Sequence, residues 1–296
     1  MNDKKSWRGT WQAWLYLMPA VMIVAVFGLY PVIHALDLSL HVRYDYYRNL
    51  VFERGLDNYV FIVQDPEFRL ALRNTLLLVA VVVPVSMAAS LAIAYFLHTR
   101  TFLSRWVQPA FFLPLAASVL AAALTWRWLF HTEYGAANAA LTAIGLPAVG
   151  WLTSPEWALP SLVLFSVWHS LGYNILLFLV GMQAIPPQYD RAARIDGASG
   201  WQRFRRITAP MLGPVFYYVS IVSVVHAFMT FDEAFALFGG ERAGPMDRAL
   251  TIVYYAFRKF YSEAEYGIAS AAAYAGFLLV FALTLVQLKM NDRRGR

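Results

Sequence analysis

NTLLLVAVVVPVSMAASLAIAYFL, residues 74–97, runs for 24 positions without an Asp, Glu, Lys or Arg. A helix of that length covers about 36 Å at about 1.5 Å per residue, more than the roughly 30 Å of a bilayer's hydrocarbon core. Five further stretches of the same kind follow outward from it: roughly Trp14–Leu36, Trp106–Trp126, Ala158–Gly181, Leu212–Phe231 and Gly267–Leu288. None alternates polar and apolar at every second position, as the strands of a membrane barrel would. The composition agrees. Hydrophobic residues make up 59% and charged ones 14%, against about 45–50% and about 25% in soluble chains. The reading is an all-α integral membrane protein with six transmembrane helices. The first span is long and no small-residue cleavage site follows it, so a removed signal peptide is not expected.

Six spans place both ends of the chain on one side. The ends and the even-numbered connections carry 14 basic and four acidic residues, a balance of +10. The opposite side carries 10 basic and 14 acidic residues, or −4, and the two together return the formal charge of +6. Positive-inside bias therefore puts both termini in the cytoplasm, and the basic excess reports orientation rather than nucleic acid. Residues 1–13 read as a cytoplasmic or interfacial segment, 14–288 as the membrane domain and 289–296 as a cytoplasmic tail. Trp7, Trp11 and Trp14 share a helical face beside Lys4, Lys5 and Arg8. That face fits a helix lying on the inner leaflet lipid or, equally, an aromatic belt anchor.

Several classes fall away on residue content. Zero cysteines remove disulfides, thiolate metal sites and Cys nucleophiles. No GxxxxGK[ST] phosphate loop occurs, and no span pairs a mid-depth carboxylate with a cation. Any uphill movement must then draw its energy from another subunit. No catalytic residue and no metal site is expected. The chain should bind no cofactor itself, any ATP and Mg being held by partner ATPase subunits. Two rivals stay open: a self-sufficient secondary carrier, which should keep a mid-membrane charge or an inverted repeat, and an integral membrane lipid-modifying enzyme, which should show Asp-rich or His–Glu clusters.

Between the fourth and fifth spans, residues 185–214 read IPPQYDRAARIDGASGWQRFRRITAPMLGP. Pro186 and Pro187 end the fourth span, because neither donates the helical hydrogen bond. Gln188–Asp196 has helix-forming composition and Gly197 supplies the turn. Ser199 with Gln202 fits a capping box, so a second short helix should start near Gly200. One side is small (Ala192, Ala193, Gly197, Ala198) and the remainder basic, which suits close approach of a partner with an acidic rim.

This loop, 186–214, resembles the EAA loop of binding-protein-dependent ABC importer permeases, in the sugar-type pattern EAAxIDGAsxWxxFxxIxxPxL. The matching residues are Ala192, Ala193, Ile195, Asp196, Gly197, Ala198, Trp201, Phe204, Ile207, Pro210 and Leu212. Arg191 occupies the glutamate position, with Asp190 just before it; on a helix that carboxylate points about 100° away. Thr230–Pro245, Leu250–Tyr261, Leu17–Pro31, Leu38–Leu40 and Leu56–Tyr59 are similar to sugar permeases as well. The resemblance implies a non-enzymatic subunit of the bacterial inner membrane that forms half of a path for a sugar or sugar-like solute, a saccharide or a glycerol-3-phosphate-like compound. It implies a second homologous permease, two ATPase subunits gripping the coupling residues Asp190, Arg191, Ala192, Ala193, Asp196, Gly197 and Ala198, and an extracytoplasmic solute-binding protein.

In the maltose type, solute contacts cluster on the spans flanking the loop. Read onto this chain, they fall on Trp168, His169, Tyr173 and Asn174, and on His226, Thr230 and Asp232. These combine aromatic faces with hydrogen-bonding groups, although the same groups also serve interhelical bonds. Histidines are the only basic groups within the spans and Arg127 stands at an edge, which favours a neutral saccharide. Leu250–Tyr261 reads as an amphipathic helix that either docks the binding protein or caps the bundle.

Overall fold

A computed structural model describes residues 3–45, 48, 50–99, 109–112, 117–240 and 242–294. It is helical apart from one hairpin. The chain forms two compact units, Met1–Asp65 with Ala256–Ala275, and Pro66–Tyr255 with Gly276–Arg296.

In the first unit, α1 (Asp3–Val24) passes through a π-helical turn, Ala25–Leu29, into α2 (Tyr30–Ser39). The apolar run Trp11–Ser39 is long enough to cross a membrane, and its side chains are almost all exposed. Strands β1 (His41–Asp45) and β2 (Leu50–Arg54) pair antiparallel with Tyr44 opposite Val51. This hairpin departs from the all-α expectation: in β1, Val42 and Tyr44 alternate with polar His41, Arg43 and Asp45, the period of a strand, whereas β2 opens on the continuous apolar run Leu50–Phe52. Helix α3 (Asp57–Gln64) then brings Asn58 to the strand's start, where its amide donates to the Ser39 and His41 carbonyls at 2.9 and 3.0 Å. Gly267 backs onto the same spot, and a Cβ there would collide with the His41 carbonyl and the Asn58 amide. The Lys259 ammonium, 7% exposed, sits between Glu263 at 2.6 Å and Glu265 at 3.1 Å.

The second unit is built on α4 (Pro66–Thr99), which packs along much of its length against a later long helix. Between them in the chain come α5 (Val119–Leu129) and α6 (Ala136–Ala143), and the partner itself is α7 (Pro155–Gln183). The loop follows as α8 (Pro187–Ile195), α9 (Gly200–Arg203), a π turn at Phe204–Thr208 and α10 (Ala209–Met211). The chain then continues through α11 (Gly213–Phe228), α12 (Asp232–Phe238), α13 (Ile252–Tyr261) and α14 (Tyr266–Arg294). Ala94 and Leu97 of α4, Ile175, Phe178 and Met182 of α7, and Leu212 and Val219 form one buried cluster. At Gly181 an added Cβ would stand 2.7 Å from a Val215 methyl, so the glycine lets α7 and α11 approach closely.

Among the described residues, four single helices are long and apolar enough to span: Trp11–Ser39, Pro66–Thr99, Pro155–Gln183 and Tyr266–Met290. The fifth expected span, Leu212–Phe231, is carried by Gly213–Phe228, which meets the preceding loop segment Gly200–Met211 at a bend of 67°. Of the third, Trp106 and Pro114 lie outside the described residues. Its described helix, α5, has 11 residues and is about 16 Å long, short of a full crossing.

Candidate functional site

Helix α7 carries polar groups at positions 166, 169, 170, 173 and 174, the spacing that lines one face of an α-helix. That face, with α4, α11 and the start of α12, encloses a cavity of about 230 Å³. The expected His169, Tyr173, Asn174, His226 and Thr230 all line it. Trp168 does not: one residue before His169, it is turned toward Trp126, 5.3 Å between ring centroids, and packs on the apolar cluster of Ala122, Ala123, Phe165 and Ala236. Asp232 is exposed, and its neighbour Glu233 takes the place at the wall.

The lining is under-bonded. Asn174 donates to the hydroxyls of Ser86 and Ser223 only at 3.5 and 3.4 Å, beyond the ordinary 2.7–3.2 Å. Tyr173 and Tyr218 hydroxyls are likewise 3.5 Å apart. Ser170 Oγ donates to the Ser166 carbonyl, whereas the buried Ser166 Oγ has no hydrogen-bond partner among the described residues. A buried hydroxyl without a partner loses its hydration for nothing unless something enters to meet it. Beyond the end of α11, burial raises the Glu233 carboxyl above its usual range. Repulsion from Asp232 adds to the rise, against backbone hydrogen bonds at Glu233 and Phe231. Ser86, Ser166, Ser170, Ser223 and Glu233 were not singled out from sequence. Helical phase alone relates Ser166 and Ser170 to His169 and Tyr173, but Ser86 comes from a helix eighty residues away.

At the other end of α7, Pro187 opens α8 at its first position, where no donor is missed. Gly197, at φ +74°, closes it: its N–H reaches the Arg194 carbonyl and the Ala198 N–H the Ala193 carbonyl. This is a Schellman closure, which requires a left-handed residue at that position. Ser199 and Gln202 form the expected capping box. Asp190 accepts from Arg194 at 2.8 Å and pairs with Arg203 at 3.2 Å, tying α8 to α9. It is thereby engaged inside the loop, while Arg191, Ala192, Asp196 and Gly197 are exposed, Ala198 is half-buried and Ala193 is buried. Two large apolar side chains stand out instead, Ile195 at 87% and Trp201 at 68% exposure. Their mismatch with a basic loop was the sequence signal for a contact face. Tyr95 of α4 holds the assembly, donating to the Gly200 carbonyl at 3.2 Å and meeting Phe204 edge-on. No group of metal-ligating side chains occurs among the described residues.

A helical membrane bundle with a polar chamber between its spans, and a braced surface loop joined to the same helices, is the build of a membrane transport subunit. The chain belongs to the family described as binding-protein-dependent transport system inner membrane component, which matches residues 80–295. It is 32% identical over 279 residues to the lactose transport system permease protein LacF of Rhizobium radiobacter, covering 93% of this chain and 92% of that one. It is 32% identical over 294 residues to the trehalose/maltose transport system permease protein MalF of Thermococcus litoralis, covering 99% and 98%. Its fold matches the crystal structure of a bacterial ABC transporter involved in the import of the acidic polysaccharide alginate. That match has a TM-score of 0.84 at 24% identity and covers 98% of each chain. The chain is thus a permease subunit of an ABC importer, a non-catalytic inner-membrane component.

Proposed function

We propose that this subunit forms half of the translocation path for a neutral saccharide, with the chamber on α7 and α11 as the solute site and residues 186–214 as the handle of a separate motor. The unpartnered Ser166 hydroxyl carries the reading. Around it lie hydroxyls, an amide and two imidazoles, the groups that satisfy sugar hydroxyls, and no Lys or Arg lines the chamber. The relatives named for lactose and for trehalose/maltose support a saccharide.

Coupling follows from connectivity. The loop is rigid by its caps, its Asp190 bridges and Tyr95, so a push on it turns Leu212 as a lever. Leu212 is fully buried where the two helices meet, and α11 beyond it carries Ser223 and His226 into the chamber. In this reading two ATPase subunits bind the loop, a second permease completes the path and a binding protein delivers the solute. Six spans place both termini in the cytoplasm, with the third crossing completed by residues before Val119. Helix α1 runs unbroken from Asp3 through Trp14, which favours the belt anchor for its tryptophans.

Glu233, His169 and His226 on the chamber wall favour one second reading, a proton-coupled carrier. Vesicle uptake separates the two. The importer requires uptake that stops without the ATPase and survives an ionophore; uptake that persists without the ATPase and collapses with the ionophore overturns it.

A further inference from the structure

Nearly a full helix length from the loop, about 40 Å along α7, lies a second pocket of about 400 Å³. Arg127 from the last turn of α5 and Arg242 from the loop after α12 both line it, with His131, Thr132 and Thr153. Among the described residues, no Asp or Glu lines it. The two arginines are 115 positions apart in sequence and come together only through the fold. Gly239, at φ +91°, is what admits the first of them: a Cβ there would stand 3.1 Å from Arg127 Nη1. Among the described residues neither guanidinium has a hydrogen bond or ion pair. His131 Nδ1 accepts from the Glu133 N–H, which leaves Nε2 as the donor of the neutral ring.

We propose that this pocket is a carboxylate-binding site, in which Arg127 and Arg242 hold the two oxygens and His131 with the threonine hydroxyls supplies the remaining donors. Two like charges facing one pocket repel until an anion joins them, and planar guanidinium forks match a carboxylate in charge and shape. The chamber farther along α7 has no such cation and carries Glu233 instead, so a carboxylate is favoured at this end of the helix and not in the chamber. The carboxylate has two possible sources, an acidic sugar or the acidic side chain of a docking protein.

Equilibrium dialysis on the full-length chain in micelles tests this without ATP or partners, and so separately from the transport reading. Labelled glucuronate is the probe, glucose the neutral control, at about 0.15 M salt so that diffuse attraction is screened. Saturable glucuronate binding is expected, weakened about tenfold by Arg127→Gln and by Arg242→Gln, with Arg127→Lys intermediate, while any glucose bound in the chamber is unchanged by these variants. No saturable glucuronate binding, or glucuronate binding left unchanged by both glutamine variants, overturns the site. N-acetylglutamate amide as a second probe separates the sources. Equal affinity means the pocket reads the carboxylate alone, as a docked protein would offer it; tighter glucuronate means that it also reads a sugar ring. Melting curves of each variant verify that binding is lost from folded protein.

Discussion

Gly197 holds φ at +74° with open space around its α-carbon, so any side chain there meets strain and no clash. Gly197→Val should therefore cost about 1–2 kcal/mol of left-handed strain, confined to the closure of α8. Membrane insertion and the melting temperature of the bundle should hardly change, while ATP-dependent uptake falls; uptake at the parental rate would remove the loop from the mechanism. Ser166→Ala is the matching test in the chamber. The hydroxyl has no protein partner to lose, so stability should stay within about 0.5 kcal/mol while the KM for uptake rises. The neighbouring Trp168, expected in the path, does not line the chamber. Reading His169–Tyr173 as an i, i+4 pair excludes position 168 by one helical step, so that assignment was correctable from sequence. Glu233 was not, because the chain leaves the α11 register at Phe231, whose φ is −137°, and nothing in TFDEAF announces the break.

Two side chains carry more of the elements' stability than their size suggests. Asn138, on α6 and 3% exposed, uses its whole bonding capacity. It donates to the Thr132 and Val149 carbonyls, each at 2.9 Å, and accepts from Val149 N–H at 3.0 Å and Trp151 Nε1 at 2.9 Å. Asn138→Ala strands buried partners and should cost at least about 2 kcal/mol, read as a lowered melting temperature. Lys259 gives the pH test. Burial works to lower its pKa, but the hydrogen bonds its ammonium donates to Glu263 and Glu265 more than reverse this and hold it above the ordinary lysine value. A raised folded-state pKa stabilises fully below the unfolded value, and the contribution disappears as pH rises through the folded one. The melting-temperature gap between the parent and Lys259→Met should then stay flat between neutral pH and about 10, closing only above that; closure already near neutrality would contradict the pairing. The loop's helices were legible nearly to the residue, since Pro187, Gly197 and the Ser199–Gln202 box act locally. The break at Leu212 falls where the basic loop with Arg203, Arg205 and Arg206 gives way to the apolar span, but its 67° angle is not legible, because hydropathy carries no direction. The hairpin at 41–54 is hard to read from sequence because only β1 alternates, over five residues, while β2 opens on the unbroken apolar run Leu50–Phe52.

Across the second unit, polar chamber and surface loop share the same helices, so that in the proposed function solute and motor act at two ends of one lever. The family match and the permease relatives establish what kind of subunit this is; the lever is what the geometry adds. It also moves the point of contact. Ala193 is buried, whereas Ile195 is 87% exposed on the same short helix, so the proposed motor contact falls on Ile195. The chain has no cysteine, and Ile195→Cys therefore supplies a single thiol at that point. Cross-linking from it in native membranes should capture a nucleotide-hydrolysing subunit, with a yield that changes when ATP is added. Cross-linking that captures no such subunit, in membranes that still take up the solute when ATP is supplied, would contradict the lever.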